Sequence, residues 1–277
     1  MKKYPIILSI AGSDSSGGAG IQADLKAISA LGAYGTTAIT AITVQNTTGV
    51  RAIHAIPSEY VRGQIEAVMD DIMPDAIKIG MINDIEIVHV IAESIRKYHP
   101  QHVVFDPVMV STSGCKLVED NAIEALTKEL MPLTDLITPN LDEAIVLTGK
   151  KIQNLEEMEI ASKELLAFGS KAVLVKGGHL SGENMYDVLQ LKDREKPYIF
   201  TGQHVESKNV HGTGCTLSSS IATFLAYGLD MPEAVSKAKE YVANAIDAGK
   251  DIMIGHGNGP LNHFYNPTKM HIIQTNE

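Results

Sequence analysis

Short apolar runs alternate with longer amphipathic stretches along nearly the whole chain, and that alternation restricts the fold more than any other feature. Runs at 5–10, 37–44, 76–79, 102–105, 136–137, 172–175 and 187–191 predict strands. Most hold almost no polar residue, the pattern of strands covered on both faces. Between them the spacing predicts helices over 21–31, 57–72, 85–98, 121–129, 155–168 and 231–248. Gly32, Gly169 and Gly249 follow three of these, where a left-handed residue would end a helix. Strands interleaved with helices imply βαβ units and an α/β fold with a mostly parallel sheet. No Pro- or Ser-rich linker or internal repeat divides the 277 residues, so one domain over 1–277 is expected.

Charge narrows the function. The chain carries 23 Lys plus Arg against 33 Asp plus Glu, a net of −10, with basic residues single or paired, as at Lys150-Lys151. No nucleic-acid surface is expected from that distribution. No apolar run approaches the ~20 residues that span a bilayer, so no membrane partner is expected either. Two cysteines make no disulfide framework, and the opening MKKYPIILSIAGSD lacks a signal-peptide pattern. These features point to a soluble cytoplasmic protein.

In an open parallel sheet, ligands bind beyond the carboxyl ends of the strands. Polar residues and glycines gather there: residues 12–20 after the first run, Gln45-Asn46 after the second, and Gly80-Met81 after the third. Asp106-Pro107, Pro139-Asn140 and Lys176-Gly177-Gly178 follow the next three. Gly212-Thr213-Gly214-Cys215-Thr216 then leads into a helix with Leu217, Ile221 and Leu225 on one face. Glycines at a helix start expose amides at the positive end of the dipole, a site for a transferred phosphate. An ordinary Gly-capped helix explains the same segment. The loop GSDSSGGAG lacks the Gly-Lys-Ser/Thr of a P-loop, and no dinucleotide fingerprint is complete. Its glycines would admit a small substrate, with Asp24 one turn into the next helix in reach or serving as a first-turn acid. Asn140 and Glu143 read either as a capping box or as oxygen donors to Mg²⁺. Lys176 is the best placed counter-charge for a triphosphate.

The segments IAGSDSSGGAGIQADLK, TAITVQNTTGV, IKIGM, DPVMV, LITPNLDEA, VKGGH, HGTGCTLSSSIA and GNGPLNHF occur in this order. Together they resemble the bifunctional hydroxymethylpyrimidine/phosphomethylpyrimidine kinases of thiamine biosynthesis, in the ribokinase-like superfamily. The resemblance implies a three-layer α/β/α fold, ATP, Mg²⁺ and a homodimer. It implies phosphorylation of 4-amino-5-hydroxymethyl-2-methylpyrimidine to its monophosphate and then its diphosphate. Gly12, Ala19, Asp24, Gln45, Met81 and Val108 would contact the pyrimidine, with the Gln45 amide reading the ring. Lys176, Thr213 and Asn140 would meet the nucleotide, and Asp106, Asn140 and Glu143 the metal. Gly212, Thr213, Gly214 and Lys176 would stabilise the transferring phosphate. Cys215 stands where most of the superfamily has Asp, and serves as a base only if its pKa is lowered. Cys115 falls in a flap that carries a reactive cysteine in some relatives, and His211 reads as structural or nucleotide-adjacent. A pyridoxine/pyridoxal kinase and a non-catalytic phosphate sensor are the competing readings, and residues 257–263 have no assigned role.

Overall fold

Successive residues of the central strands pack against opposite sides of one sheet, which is why those strands are apolar throughout. Residues 2–109, 120–178 and 184–274 are described by the computed structural model of the chain. The strands in chain order are β1 (Lys2–Lys3), β2 (Ile6–Asp14), β3 (Tyr34–Asn46), β4 (Gly49–Ala55), β5 (Ala76–Ile79), β6 (Val103–Phe105), β7 (Leu136–Ile137), β8 (Ala172–Lys176), β9 (Asn184–Leu191), β10 (Tyr198–Gln203) and β11 (Ile273–Gln274). The helices are α1 (Gly20–Ala30), α2 (Ser58–Asp71), α3 (Ile85–Tyr98), α4 (Asp120–Ala125), α5 (Leu141–Thr148), α6 (Leu155–Leu165), α7 (Thr213–Ala226) and α8 (Met231–Gly249). Leu8, Val103, Phe105, Val173 and Val175 join a core with α2, α3 and α6, whereas Ile7, Val104, Ala172 and Leu174 join a core with α1, α7 and α8. Two cores on the two faces of one sheet make the three-layer α/β/α arrangement.

The main sheet has nine strands in the order β10-β9-β8-β7-β6-β5-β2-β3-β4. Its centre, from β3 to β8, is parallel, and β4, β9 and β10 add antiparallel edges. The small β1–β11 pair stands apart from it. Four expected strand cores, 76–79 and 136–137 among them, appear with at most one residue's shift at their ends, and the other three lengthen: β2 runs on to Asp14, β3 to Asn46, and β9 starts already at Asn184. The edge strands β4 and β10 lie outside the expected set, because each is half exposed and carries no apolar run.

Gly32 and Gly169 have positive φ and close their helices as expected. Gly249 does not: it stays inside α8, and the helix ends at Lys250 with φ −58. Close packing explains this glycine, because a Cβ there would stand 2.8 Å from the backbone nitrogen of Asn262. Residues 257–263 gain a role by the same packing. Asn258 N donates to Thr47 O at 2.9 Å, Pro260 forms a β-bridge with His211, and His263 Nε2 lies 2.9 Å from Thr216 Oγ1. Burial pushes the His263 imidazole down to about 4, so it is neutral in this contact. This segment therefore clasps the β3–β4 hairpin to the start of α7.

Gly212 and Gly149 both have left-handed backbone, but a Cβ at Gly212 would fall 1.8 Å from Gly18 O while at Gly149 it would meet nothing within 4 Å. Gly149→Ala is expected to cost about 1 kcal/mol of unfolding free energy from conformation alone. Gly212→Ala should cost at least twice that, and equal denaturation midpoints for the two variants would contradict this account.

Candidate active site

The cleft opens above the carboxyl ends of β2, β3, β5, β6 and β8, against the first turn of α7. Gly212 adopts φ 83 and starts α7 without a side-chain cap. Thr213 N donates to Val210 O at 3.2 Å, so the amides of Gly214 and Cys215 are the ones turned to an outside acceptor. Ser218, Ser219 and Ser220 are all fully buried, so this side of α7 lies close on the sheet. Thr213 turns its hydroxyl back to Val210 O at 2.6 Å.

Beside the helix start, Lys176 Nζ donates to Asp106 Oδ1 at 2.8 Å. Thr138 Oγ1 donates to the same oxygen at 3.0 Å. A Cβ on Gly214 would lie 3.3 Å from both Asp106 Oδ2 and Lys176 Nζ, so glycine here lets the pair touch the helix N-terminus. Burial opposes the Lys176 charge, but Asp106 and Glu143 outweigh it and hold the ammonium protonated. Asp106 is likewise held ionised: burial would raise its pKa, and Lys176 and Lys78 more than offset that.

Asn140 and Glu143 form the capping box of α5. Asn140 Oδ1 accepts from Glu143 N at 2.9 Å, and Glu143 Oε2 accepts from Asn140 N at 2.7 Å. Both border the cleft, so the capping-box reading holds while each keeps a place beside the site. Glu143 is also raised well above the usual carboxylate range, first by burial. Among the described residues no three His, Cys, Asp or Glu side chains form a metal cage. Among the described residues, Asp106 Oδ2 is engaged only by Ser218 Oγ at 3.5 Å, which leaves this carboxylate oxygen capacity for a further partner. That donor set fits Mg²⁺, which keeps several waters and binds through one or two carboxylates and substrate phosphates.

On the opposite side of the cleft, Gly12, Ala19, Gln45, Met81 and Val108 line a mostly apolar wall. Met81 and Val108 pack with Ala41 and Ile53. Asp24 is the exception. It is fully buried beneath the cleft, where Lys78 Nζ donates to both its oxygens at 2.8 and 2.9 Å and Ser9 Oγ donates at 2.6 Å. The expected substrate contact of Asp24 is corrected to a buried ion pair. Lys78, a single charge in the middle of the apolar strand β5, was the sequence signal for it. Burial opposes the Lys78 ammonium, but Asp24 holds it protonated.

Cys215 lines the cleft directly over this pair. The helix N-terminus does not activate it. Burial pushes its thiol up to about 11; Lys78 pulls the other way, but Asp24 and Asp106 reinforce the rise. Cys115 lies outside the described residues. His211, expected to be structural or nucleotide-adjacent, is buried at the cleft edge, with Nε2 2.9 Å from Asp14 Oδ2 and 3.2 Å from Gln45 Nε2. Asp14 is absent from the expected site, and its place in the segment GSDSSGGAG was the one cue to it.

Residues 14–262 match the family model described as phosphomethylpyrimidine kinase. The chain is 48% identical to the hydroxymethylpyrimidine/phosphomethylpyrimidine kinase of Rhizobium meliloti (strain 1021), over 94% of this chain and 97% of that one. Among solved structures it is similar to phosphomethylpyrimidine kinase from Clostridium difficile 630, with 48% identity and TM-score 0.77 over 87% of this chain and 99% of that one. It is also similar to the pyridoxal kinase from Staphylococcus aureus in complex with AMP-PCP and pyridoxal, at 33% identity and TM-score 0.86 over 98% of each chain.

With a thiol pKa near 11, about one molecule in ten thousand carries the thiolate at pH 7. Peptide-resolved alkylation of Cys215 by iodoacetamide should therefore speed up about tenfold per pH unit from pH 7 to 9. A rate already at its plateau near pH 7 would show a lowered pKa instead.

Proposed function

Because the chain belongs to the phosphomethylpyrimidine kinase family, we propose that both phosphoryl transfers of that activity occur in the one cleft above β2, β3, β5, β6 and β8. The activity itself is the ATP-dependent phosphorylation of hydroxymethylpyrimidine and then of its monophosphate, in thiamine biosynthesis. The observation that carries the assignment of the cleft is the meeting of Lys176, Asp106 and the uncapped start of α7 at Gly214.

In this reading the amides of Gly214 and Cys215, in the turn that Gly212 and Thr213 open, receive the transferring phosphoryl group, and Lys176 neutralises charge beside them. Asn140 and Thr213 flank the nucleotide. Asp106 would hold Mg²⁺ through Oδ2, with Glu143 reaching it through water, and the ion would neutralise charge on the phosphates. The pyrimidine lies on Met81 and Val108, with Gly12 and Ala19 leaving it room and Gln45 reading its edge. Substrate alcohol and phosphate are brought together mainly by position and charge, which matter most in phosphoryl transfer.

Cys215 then has a narrow task. An alcohol must lose its proton during the first transfer, whereas the phosphate acceptor of the second is already anionic. A thiol with so high a pKa accepts that proton only late, as charge develops on the oxygen. The bacterial relatives cover more than nine tenths of the chain, which supports one catalytic domain and a cytoplasmic enzyme. Exposed Tyr34, Ile42 and Val44, next to the edge strand β4, support a homodimer.

Side-by-side turnover of hydroxymethylpyrimidine, its monophosphate and pyridoxal with Mg-ATP tests the substrate reading. The first two should be turned over in sequence; pyridoxal alone would make the chain a vitamin B6 kinase, and no turnover would leave a phosphate sensor. Cys215→Ala should slow the first step about 10²-fold and the second much less. Equal loss in both would remove the proton-acceptor role.

A further inference from the structure

The Asp14 carboxylate receives five hydrogen bonds. Oδ1 accepts from Ser16 N at 2.8 Å and Ser16 Oγ at 2.7 Å; Oδ2 accepts from Gly18 N at 3.0 Å, Ala19 N at 2.8 Å and His211 Nε2 at 2.9 Å. An anion so surrounded only accepts. His211 Nε2 must therefore carry a proton. The same nitrogen lies 3.2 Å from the amide nitrogen of Gln45, which has only hydrogens to offer. On the far side of that amide, Thr43 Oγ1 has one proton for two acceptors, Ser13 O at 2.9 Å and Gln45 Oε1 at 3.0 Å.

Half a turn of the Gln45 amide removes both conflicts. Oε1 then accepts from His211 N–H, shared with Asp14, and Nε2 donates to Thr43 Oγ1, whose own proton goes to Ser13 O. Oxygen and nitrogen of an amide are assigned by such proton counts. We propose that Asp14 and His211 are positioning residues that lock the Gln45 amide in this orientation, and thereby decide which substrate ring the cleft selects. This rests on Gln45 reading the ring, as stated above.

The lock gives the amide edge a fixed order. Its acceptor lies on the His211 side and its donor on the Thr43 side. An aminopyrimidine presents the complementary pair, an exocyclic N–H beside a ring nitrogen. A ring without the amino group loses the partner of Oε1 and keeps that of Nε2. Sites built around a substrate hydrogen bond reject analogues lacking it because the buried partner is left unpaired.

The test compares kcat/KM for hydroxymethylpyrimidine and its desamino analogue in the wild type and in Gln45→Ala, His211→Leu and His211→Gln. His211→Leu should cut the preference for the amino substrate about tenfold, mainly through KM, and His211→Gln, with an N–H near the old Nε2, should recover most of it. Gln45→Ala should abolish the preference. If Gln45→Ala abolishes it while His211→Leu leaves the wild-type ratio, the lock is wrong and the ring reading stands; if Gln45→Ala leaves the ratio intact, both fall. Nitrogen-15 NMR of the histidines in the wild-type protein gives a second measurement that no folding defect can confuse. His211 Nε2 should resonate as a protonated nitrogen, and a bare Nε2 overturns the proposal.

Discussion

Backbone touches backbone where Gly212 turns against the carbonyl of Gly18, and the spacing of the cleft depends on that contact. A side chain at either position would push the loops apart: a Cβ on Gly18 would sit 2.4 Å from the His211 ring. One loop belongs to β2 and α1 and faces the pyrimidine wall; the other opens α7 and faces the phosphate. Their contact fixes the distance between acceptor and transferring group, and positioning is most of what phosphoryl transfer asks of a protein. The segment 257–263 reinforces it from behind by tying His211 and Thr216 to Thr47.

The charges around the helix start are paired within the protein. Lys78 meets Asp24, Lys176 meets Asp106, and burial pushes Glu143 toward its neutral form. A thiolate at Cys215 would be one negative charge beyond this balance, which explains why a cysteine at a helix N-terminus is not acidic here. The positive end of the dipole is instead left for an anion that brings its own counterions.

Much of this was legible in the sequence, and the residues that were not share a cause. Strands such as 76–79 and 172–175 declare themselves by burial on both faces, and strand-end residues such as Lys176 and Asp106 follow from where parallel sheets bind ligands. The edge strands β4 and β10 carry no such pattern. Asp24, Asn140 and Glu143 each have a type of side chain that serves either structure or chemistry, and only the partner decides between them. For Asp24 that partner is 54 residues away in Lys78, and for His211 it is Asp14, 197 residues away. Local spacing carries no information about such pairs, although a lysine inside an apolar strand signals that some partner exists.

The Lys78–Asp24 pair also limits how this chain can drift in sequence. Both groups are fully buried, and removing either alone strands the other charge in the core, at about 3–5 kcal/mol. Two apolar residues of similar volume could occupy the same space at little cost, but every path of single substitutions to them crosses a poorly folded intermediate. The pair is thus a ratchet: easily kept, and hard to leave one step at a time. Strand β5 and helix α1 are bound to change together, and with them the floor on which Cys215 rests.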